Sequence, residues 1–196
     1  MLVVLIGESG AGKSAIEKEL ITNYGFNNII KWTTRPIRDN EQNDIDYHFI
    51  SLETFYKMIK DGEFLEYEEY SQNRYYGTIS YDYRHYINND NTKAVVVLTP
   101  NGYRKLKSIY KDNIIGIHIN ASLGIRVQRY IDRCGINKFN FDDMNEINAR
   151  VNRDYGMFLG IDNEVDYTIL NNGKMDLSTI GYFITDIVNE TIKEKE

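Results

Sequence analysis

Apolar positions gather in four short continuous runs, residues 2–6, 93–98, 114–119 and 166–170. They are rich in β-branched residues and do not alternate with polar ones. A strand of that kind is buried on both faces, as in a parallel sheet covered by helices. Between and after the runs, apolar residues return at helical spacing over 15–23, 101–110, 123–134, 142–159 and 178–193. In the last of these, Ile180, Phe183, Ile184, Ile187 and Val188 mark one face. Strands alternating with helices predict an α/β sheet whose ligands bind at the carboxyl ends of the strands.

Two segments break the alternation. Residues 32–86 carry short extended pieces at 47–50 and 64–70, one helical stretch at 52–62 and many polar aromatics, which predicts a small inserted lobe. Residues 126–153 form a second excursion, and Arg126, Arg129, Arg133, Arg150 and Arg153 lie along or beside it. There is no internal repeat, low-complexity tract or flexible linker, so the chain is expected to be one domain. Its core is expected over about 1–31, 87–125 and 154–196.

Composition changes this picture little. The chain has 196 residues, of which 42% are hydrophobic and 27% charged, ordinary values for a globular protein. A formal net charge of −6 without a basic block argues against a nucleic-acid or anionic-membrane partner. The single cysteine, Cys134, forbids an intrachain disulfide and fits a cytoplasmic location. No apolar stretch approaches a membrane span, and Met1-Leu2-Val3 lacks a basic leader. The first run is therefore read as structure. His48, His85 and His118 show no metal-ligand spacing, and His118 is expected to be structural.

The chemistry begins where the first run ends. Gly7-Glu8-Ser9-Gly10-Ala11-Gly12-Lys13-Ser14 reads G-x-x-x-x-G-K-S, and Ala15 opens a helix-forming stretch. Glycines permit backbone angles and close approach that a side chain blocks. Successive backbone N–H groups then face phosphate oxygens beside a positive helix N-terminus. Lys13 is expected on the β- and γ-phosphates and the Ser14 hydroxyl on Mg²⁺.

A second series follows: Thr33-Thr34-Arg35-Pro36-Ile37-Arg38-Asp39-Asn40-Glu41, Asp46-Tyr47-His48-Phe49-Ile50-Ser51, Gly62-Glu63-Phe64-Leu65-Glu66 and Tyr76-Gly77-Thr78. Downstream of a phosphate loop, this ordered set resembles the guanylate kinase family, densely to residue 80 and more thinly to about 171. The resemblance implies a P-loop NTPase-type parallel sheet flanked by helices, with a nucleoside monophosphate-binding lobe (32–86) and a helical lid (126–153). It implies ATP and Mg²⁺ on the first loop, with Gly7, Ser9, Gly10, Ala11, Gly12, Lys13, Ser14 and Ala15 holding the nucleotide and Asn171 near the adenine. It implies GMP or dGMP as acceptor.

The residue chemistry agrees. Arg35 and Arg38, three residues apart, can clamp a dianionic phosphate, and the family pattern adds the hydroxyls of Tyr47 and Tyr76. Guanine presents two adjacent donors that one carboxylate can accept together. The matching position is Glu66, with Thr78 beside it and Glu41 orienting the clamp. Arg129, Arg133 and Arg150 fall where the family places lid cations around the transferring phosphoryl group.

Three positions depart from the family pattern. Lys31 stands where a base-contacting serine is usual, and its donors suit guanine O6. Thr99 stands where one of two acids is usual, beside the base or the magnesium shell. Asp44 replaces a turn glycine, which an aspartate tolerates. The resulting expectation is a guanylate kinase, a monomer or homodimer whose partners are small nucleotides. The alternatives are a kinase of this fold with another phosphorylated acceptor, and a non-catalytic interaction module, which the intact loop disfavours.

Overall fold

A computed structural model describes residues 1–39, 41–87 and 92–195, without the side chains of Ser71, Asp82 and His85. The expectation about His85 therefore lies outside the described residues. In chain order the elements are β1 (Leu2–Ile6), α1 (Lys13–Asn23), β2 (Asn27–Asn28), β3 (Lys31–Thr33), β4 (Tyr47–Phe49), α2 (Leu52–Lys60), β5 (Phe64–Ser71), β6 (Arg74–Ile79) and α3 (Ser80–Ile87). Then follow β7 (Ala94–Val97), α4 (Pro100–Tyr110), β8 (Ile114–Asn120), α5 (Leu123–Cys134), α6 (Phe141–Met157), β9 (Tyr167–Leu170) and α7 (Leu177–Lys193).

The four apolar runs become β1, β7, β8 and β9 of a five-stranded parallel sheet in the order β2-β7-β1-β8-β9. Every residue of β1 is buried. Successive side chains of a strand point to opposite faces, and β1 shows the consequence. Val3 and Leu5 pack with Ile16 and Leu20 of α1 and with Ile180, Ile184 and Val188 of α7. Leu2, Val4 and Ile6 pack with Tyr83 and Ile87 of α3 and with Tyr103 and Leu106 of α4. The strand thus serves two cores at once, and its carboxyl end is fixed from both sides.

Helix starts follow local chemistry. Ser51, Thr99 and Asp176 each accept a backbone N–H three residues on, at α2, α4 and α7. Pro100 occupies the first turn of α4, where its missing N–H is harmless. Asn140 and Asp143 form a reciprocal capping box at α6. α1 is different: Gly12 precedes it in the left-handed conformation with no side-chain cap, so its first N–H groups are left for a ligand.

The segment 32–86 contains more regular structure than the sequence pattern predicts. Its second sheet runs β4-β3-β6-β5, with β3–β4 parallel and the other pairs antiparallel. β3, β6 and α3 were not legible as elements, and the helix expected over 52–62 ends at Lys60. These strands escape the apolar pattern because one face is a polar cavity wall carrying Lys31, Tyr47, Glu66, Glu68 and Tyr76. α3 also crosses the expected boundary near residue 86, since Tyr83 and Ile87 are buried against the main sheet. At the Asp44 turn, φ is +64° and the carboxylate bonds His48 Nδ1 at 2.7 Å, so a side chain is accommodated as expected.

Candidate active site

The phosphate loop leaves the carboxyl end of β1. Two of its glycines are dictated by contact. A Cβ on Gly7 would lie 2.4 Å from Ile119 O, and one on Gly12, at φ +97°, would lie 2.4 Å from Asn171 Nδ2. The Lys13 ammonium folds back on the loop, donating to Gly7 O at 2.6 Å and Glu8 O at 3.0 Å. Burial, aided by the positive charge of Lys31, lowers its pKa to about 8 against the pull of Asp154, Glu8 and Glu17. It remains mostly cationic at neutral pH. Ser14 is exposed at the start of α1, on the same cavity as Lys13. Ala15 is exposed but lines no described cavity.

The loop is held in shape by groups that sequence reading assigned to ligands. Asn171 is buried. Its Nδ2 donates to Ala11 O at 2.8 Å, and its Oδ1 accepts from Arg129 Nη2 at 3.1 Å. Arg129 also donates to Gly10 O and Ala11 O at 3.2 and 3.1 Å. Both polar ends of Asn171 and the guanidinium of Arg129 are therefore committed to the loop. The sequence set Asn171 beside the adenine and Arg129 over the phosphoryl group; in the structure both hydrogen-bond the loop backbone. On the other side His118, buried on β8, lies between Asp162 at 2.7 Å and Glu8 at 3.4 Å. Burial lowers the His118 pKa, but these two carboxylates outweigh it and raise it.

One cavity of about 250 Å³ joins Gly7, Ser9, Lys13 and Ser14 to Lys31, Arg35, Arg38, Tyr47, Glu66, Tyr76 and Thr99. On its wall, Arg35 is 7% exposed and pairs with both oxygens of Glu41 at 2.8 Å. Its guanidinium carbon lies 5.3 Å from the Tyr47 ring centre and 5.5 Å from that of Phe49. Arg38 is 61% exposed and 3.8 Å from Glu41, whose Oε2 also accepts the Arg38 backbone N–H at 3.0 Å. Glu41 thus presents one anchored and one reaching arginine. Burial works against the Arg35 charge, yet Glu41 outweighs it and raises the pKa.

Beside Glu66, Thr78 Oγ1 donates to Glu66 Oε1 at 2.6 Å, and Tyr83 Oη lies 2.7 Å from Thr78 Oγ1. Burial pushes the Glu66 carboxyl up to about 7, partly offset by Thr78 and Lys31. Thr78 is fully buried, with its hydroxyl donated to Glu66. Thr99 lines the cavity, but its hydroxyl oxygen caps α4 by accepting Gly102 N at 3.2 Å.

Of the remaining arginines, Arg133 and Arg150 line this cavity and a smaller neighbour of about 150 Å³ beside Gly10. Arg150 pairs with Glu146 on its own helix. The sequence reading missed three further groups at the loop. Arg153 stacks 3.7 Å from the Tyr70 ring centre and donates to Tyr70 O at 2.9 Å. Tyr70 Oη meets Ser9 Oγ at 2.8 Å, and Asp154 Oδ2 accepts the Ser9 backbone N–H at 2.7 Å. The only sequence signal for them was the arginine spacing on α6; Tyr70 and Asp154 match no motif. Among the described residues no cluster of three or more metal-binding side chains occurs.

A family model described as guanylate kinase matches residues 1–173. The guanylate kinase of Malacoplasma penetrans is 29% identical over 199 residues, spanning 100% of this chain and 95% of that protein. The guanylate kinase of Sulfurimonas denitrificans is 49% identical over 80 residues, spanning 39% of this chain and 37% of its own length. Among solved structures, the guanylate kinase of Anaplasma phagocytophilum has a TM-score of 0.71 at 18% identity, over 97% of this chain and 85% of that one, a likeness of fold. With the family model covering most of its length, the chain belongs to the guanylate kinase family and is a nucleoside monophosphate kinase, a phosphotransferase.

Proposed function

We propose that the protein transfers the γ-phosphoryl group of ATP to GMP or dGMP. The observation that carries this reading is a single cavity lined at once by the phosphate loop, by Arg35 and Arg38 and by the carboxylate of Glu66. The loop N–H groups and Lys13 suit the triphosphate. Arg35, Arg38, Tyr47 and Tyr76 suit the acceptor phosphate, with Glu41 as the orienting acid. Glu66 suits the paired donors of guanine.

The Ser14 hydroxyl is the protein ligand suited to Mg²⁺, an ion held by few side chains besides phosphate and water. When bound, that ion neutralises phosphate charge. No general base is needed, because the acceptor phosphate is already an anionic nucleophile. Rate then comes from alignment and from cations around the transferring group. Lys13, Arg133 and Arg150 are the candidates, with Arg38 on the acceptor side. Residues 32–86 and 126–153 are the expected lobe and lid, closing over both substrates to exclude water.

The test is a coupled ADP-release assay with MgATP and GMP, dGMP, AMP, CMP, UMP and dTMP. Turnover confined to GMP and dGMP is the expected result. If AMP or a sugar phosphate outcompetes GMP, the acceptor assignment is wrong and a kinase of this fold with another acceptor takes its place. ATP binding without turnover on any acceptor favours an interaction module instead.

A further inference from the structure

The Glu66 wall of the cavity is one row of the second sheet. Glu66 on β5 stands opposite Thr78 on β6. β6 pairs with β3 through Gly77 opposite Trp32 and Tyr76 opposite Thr33, so the next step of the ladder sets Thr78 opposite Lys31. Lys31 in turn stands opposite Tyr47 on β4. Residues in one row project to the same face, with neighbouring Cβ atoms about 5 Å apart. Lys31, Glu66 and Tyr47 accordingly line the same cavity.

An ammonium in this place needs a reason, because burying a charge is costly unless opposite charges face it. Lys31 Nζ donates to Val97 O at 2.9 Å, and the same residue's N–H donates to Glu17 Oε1 at 3.2 Å. One of the three ammonium N–H groups is engaged there, which leaves two for the cavity. Burial lowers the Lys31 pKa, but Tyr47, the carboxylates of Glu17 and Glu66, and Tyr76 outweigh it and raise it.

We propose that Lys31 is a positioning residue for base recognition: its ammonium, one strand beyond Thr78, favours the carboxylate form of Glu66, which accepts two adjacent N–H donors. The inference rests on the guanine-nucleotide reading of the cavity. A protonated carboxyl would offer one donor where guanine also presents donors, so the charge state decides recognition. Among the described residues, the other groups acting on Glu66 supply no cation. Glu68 on β5 adds a like charge, and Thr78 on β6 gives a neutral hydrogen bond backed by Tyr83 of α3. On the α4 side, Gly102 approaches so closely that a Cβ there would lie 3.0 Å from Glu66 Oε2. Lys31 is the positive charge acting on Glu66.

The decisive measurement is a carbon-13 NMR titration of the full-length protein labelled at glutamate, with the Glu66 carboxyl assigned by its loss in Glu66→Gln. Wild type, Lys31→Gln and Lys31→Arg are compared, with Lys31→Met in place of Lys31→Gln if that variant does not fold. Removing the charge is expected to raise the Glu66 midpoint by about one unit, a tenfold change in proton affinity, while Lys31→Arg stays near wild type. In turnover at pH 7, Lys31→Gln should raise the KM for GMP about fivefold, because the ionised fraction of Glu66 falls from about one half to about one tenth, while leaving that for ATP unchanged. The defect should shrink at pH 9, where Glu66 is ionised in both proteins. An unchanged Glu66 midpoint, or a GMP defect equally large at pH 9, overturns the proposal. The titration needs no substrate, so a wild type that ignores GMP refutes the acceptor assignment without deciding the Lys31–Glu66 pair.

Discussion

At the scale of single residues, charge state carries much of the expected behaviour. Glu66 is held up at about 7, chiefly by burial. As pH rises from 6 to 8 the carboxylate form grows, so the KM for GMP should fall, by up to about tenfold. Steady-state kinetics at fixed saturating ATP reads this directly, and a flat profile would remove Glu66 from base reading. Stability runs the other way. Between 4.5, the ordinary value, and about 7, the folded chain keeps a proton on Glu66 that the unfolded chain has released. That contribution to stability is therefore lost as pH rises through the window. Glu66→Gln should erode GMP over AMP selectivity at least tenfold, about 1.4 kcal/mol, while sparing the acceptor phosphate contacts. Lys13→Ala should lower turnover by ~10²–10³-fold, the scale for losing a preorganised cation at the transferring group, with melting temperature as the control for folding.

At the scale of elements, the phosphate loop depends on neighbours far along the chain. Asn171→Ala removes a buried amide bonded to Ala11 O and Arg129. It should cost about 1–3 kcal/mol in urea unfolding, because both partners lose a buried bond, and should raise the KM for ATP. The same residue shows what the sequence could and could not disclose. Its motif position was legible, but its bonds to Ala11 and Arg129 were not, since those partners lie 160 and 42 residues away. The bonds from Arg129 to Gly10 O and Ala11 O were hidden in the same way. Thr99 was legible as a departure, yet its capping role depended on α4 starting at Pro100. β1, β7, β8 and β9 were legible because burial on both faces leaves an unbroken apolar run. β3 and β6 were not, because a half-buried strand facing a polar cavity shows neither a run nor alternation. Tyr70 and Asp154 gave no signal at all, since their partner Ser9 lies more than sixty residues away in each case.

At the scale of the whole molecule, the two cores meet at β1. Leu5→Ala opens a hole toward α1 and α7, and Val4→Ala opens one toward α3 and α4. Leu5→Ala should cost about 2–5 kcal/mol, and either change should weaken ATP binding, because the loop grows from the strand both cores support. Chemical denaturation paired with calorimetric ATP titration checks this; variants that lose stability but bind ATP as wild type would show that the loop is held independently of the strand. The buttressing of the loop by Arg129 and Asn171 has a further consequence. A loop whose carbonyls are already held has little freedom left to surrender when phosphates arrive. Nucleotide should therefore leave the backbone order parameters of Gly10, Ala11 and Gly12 almost where they were, and its grip should be felt as heat released rather than as motion lost.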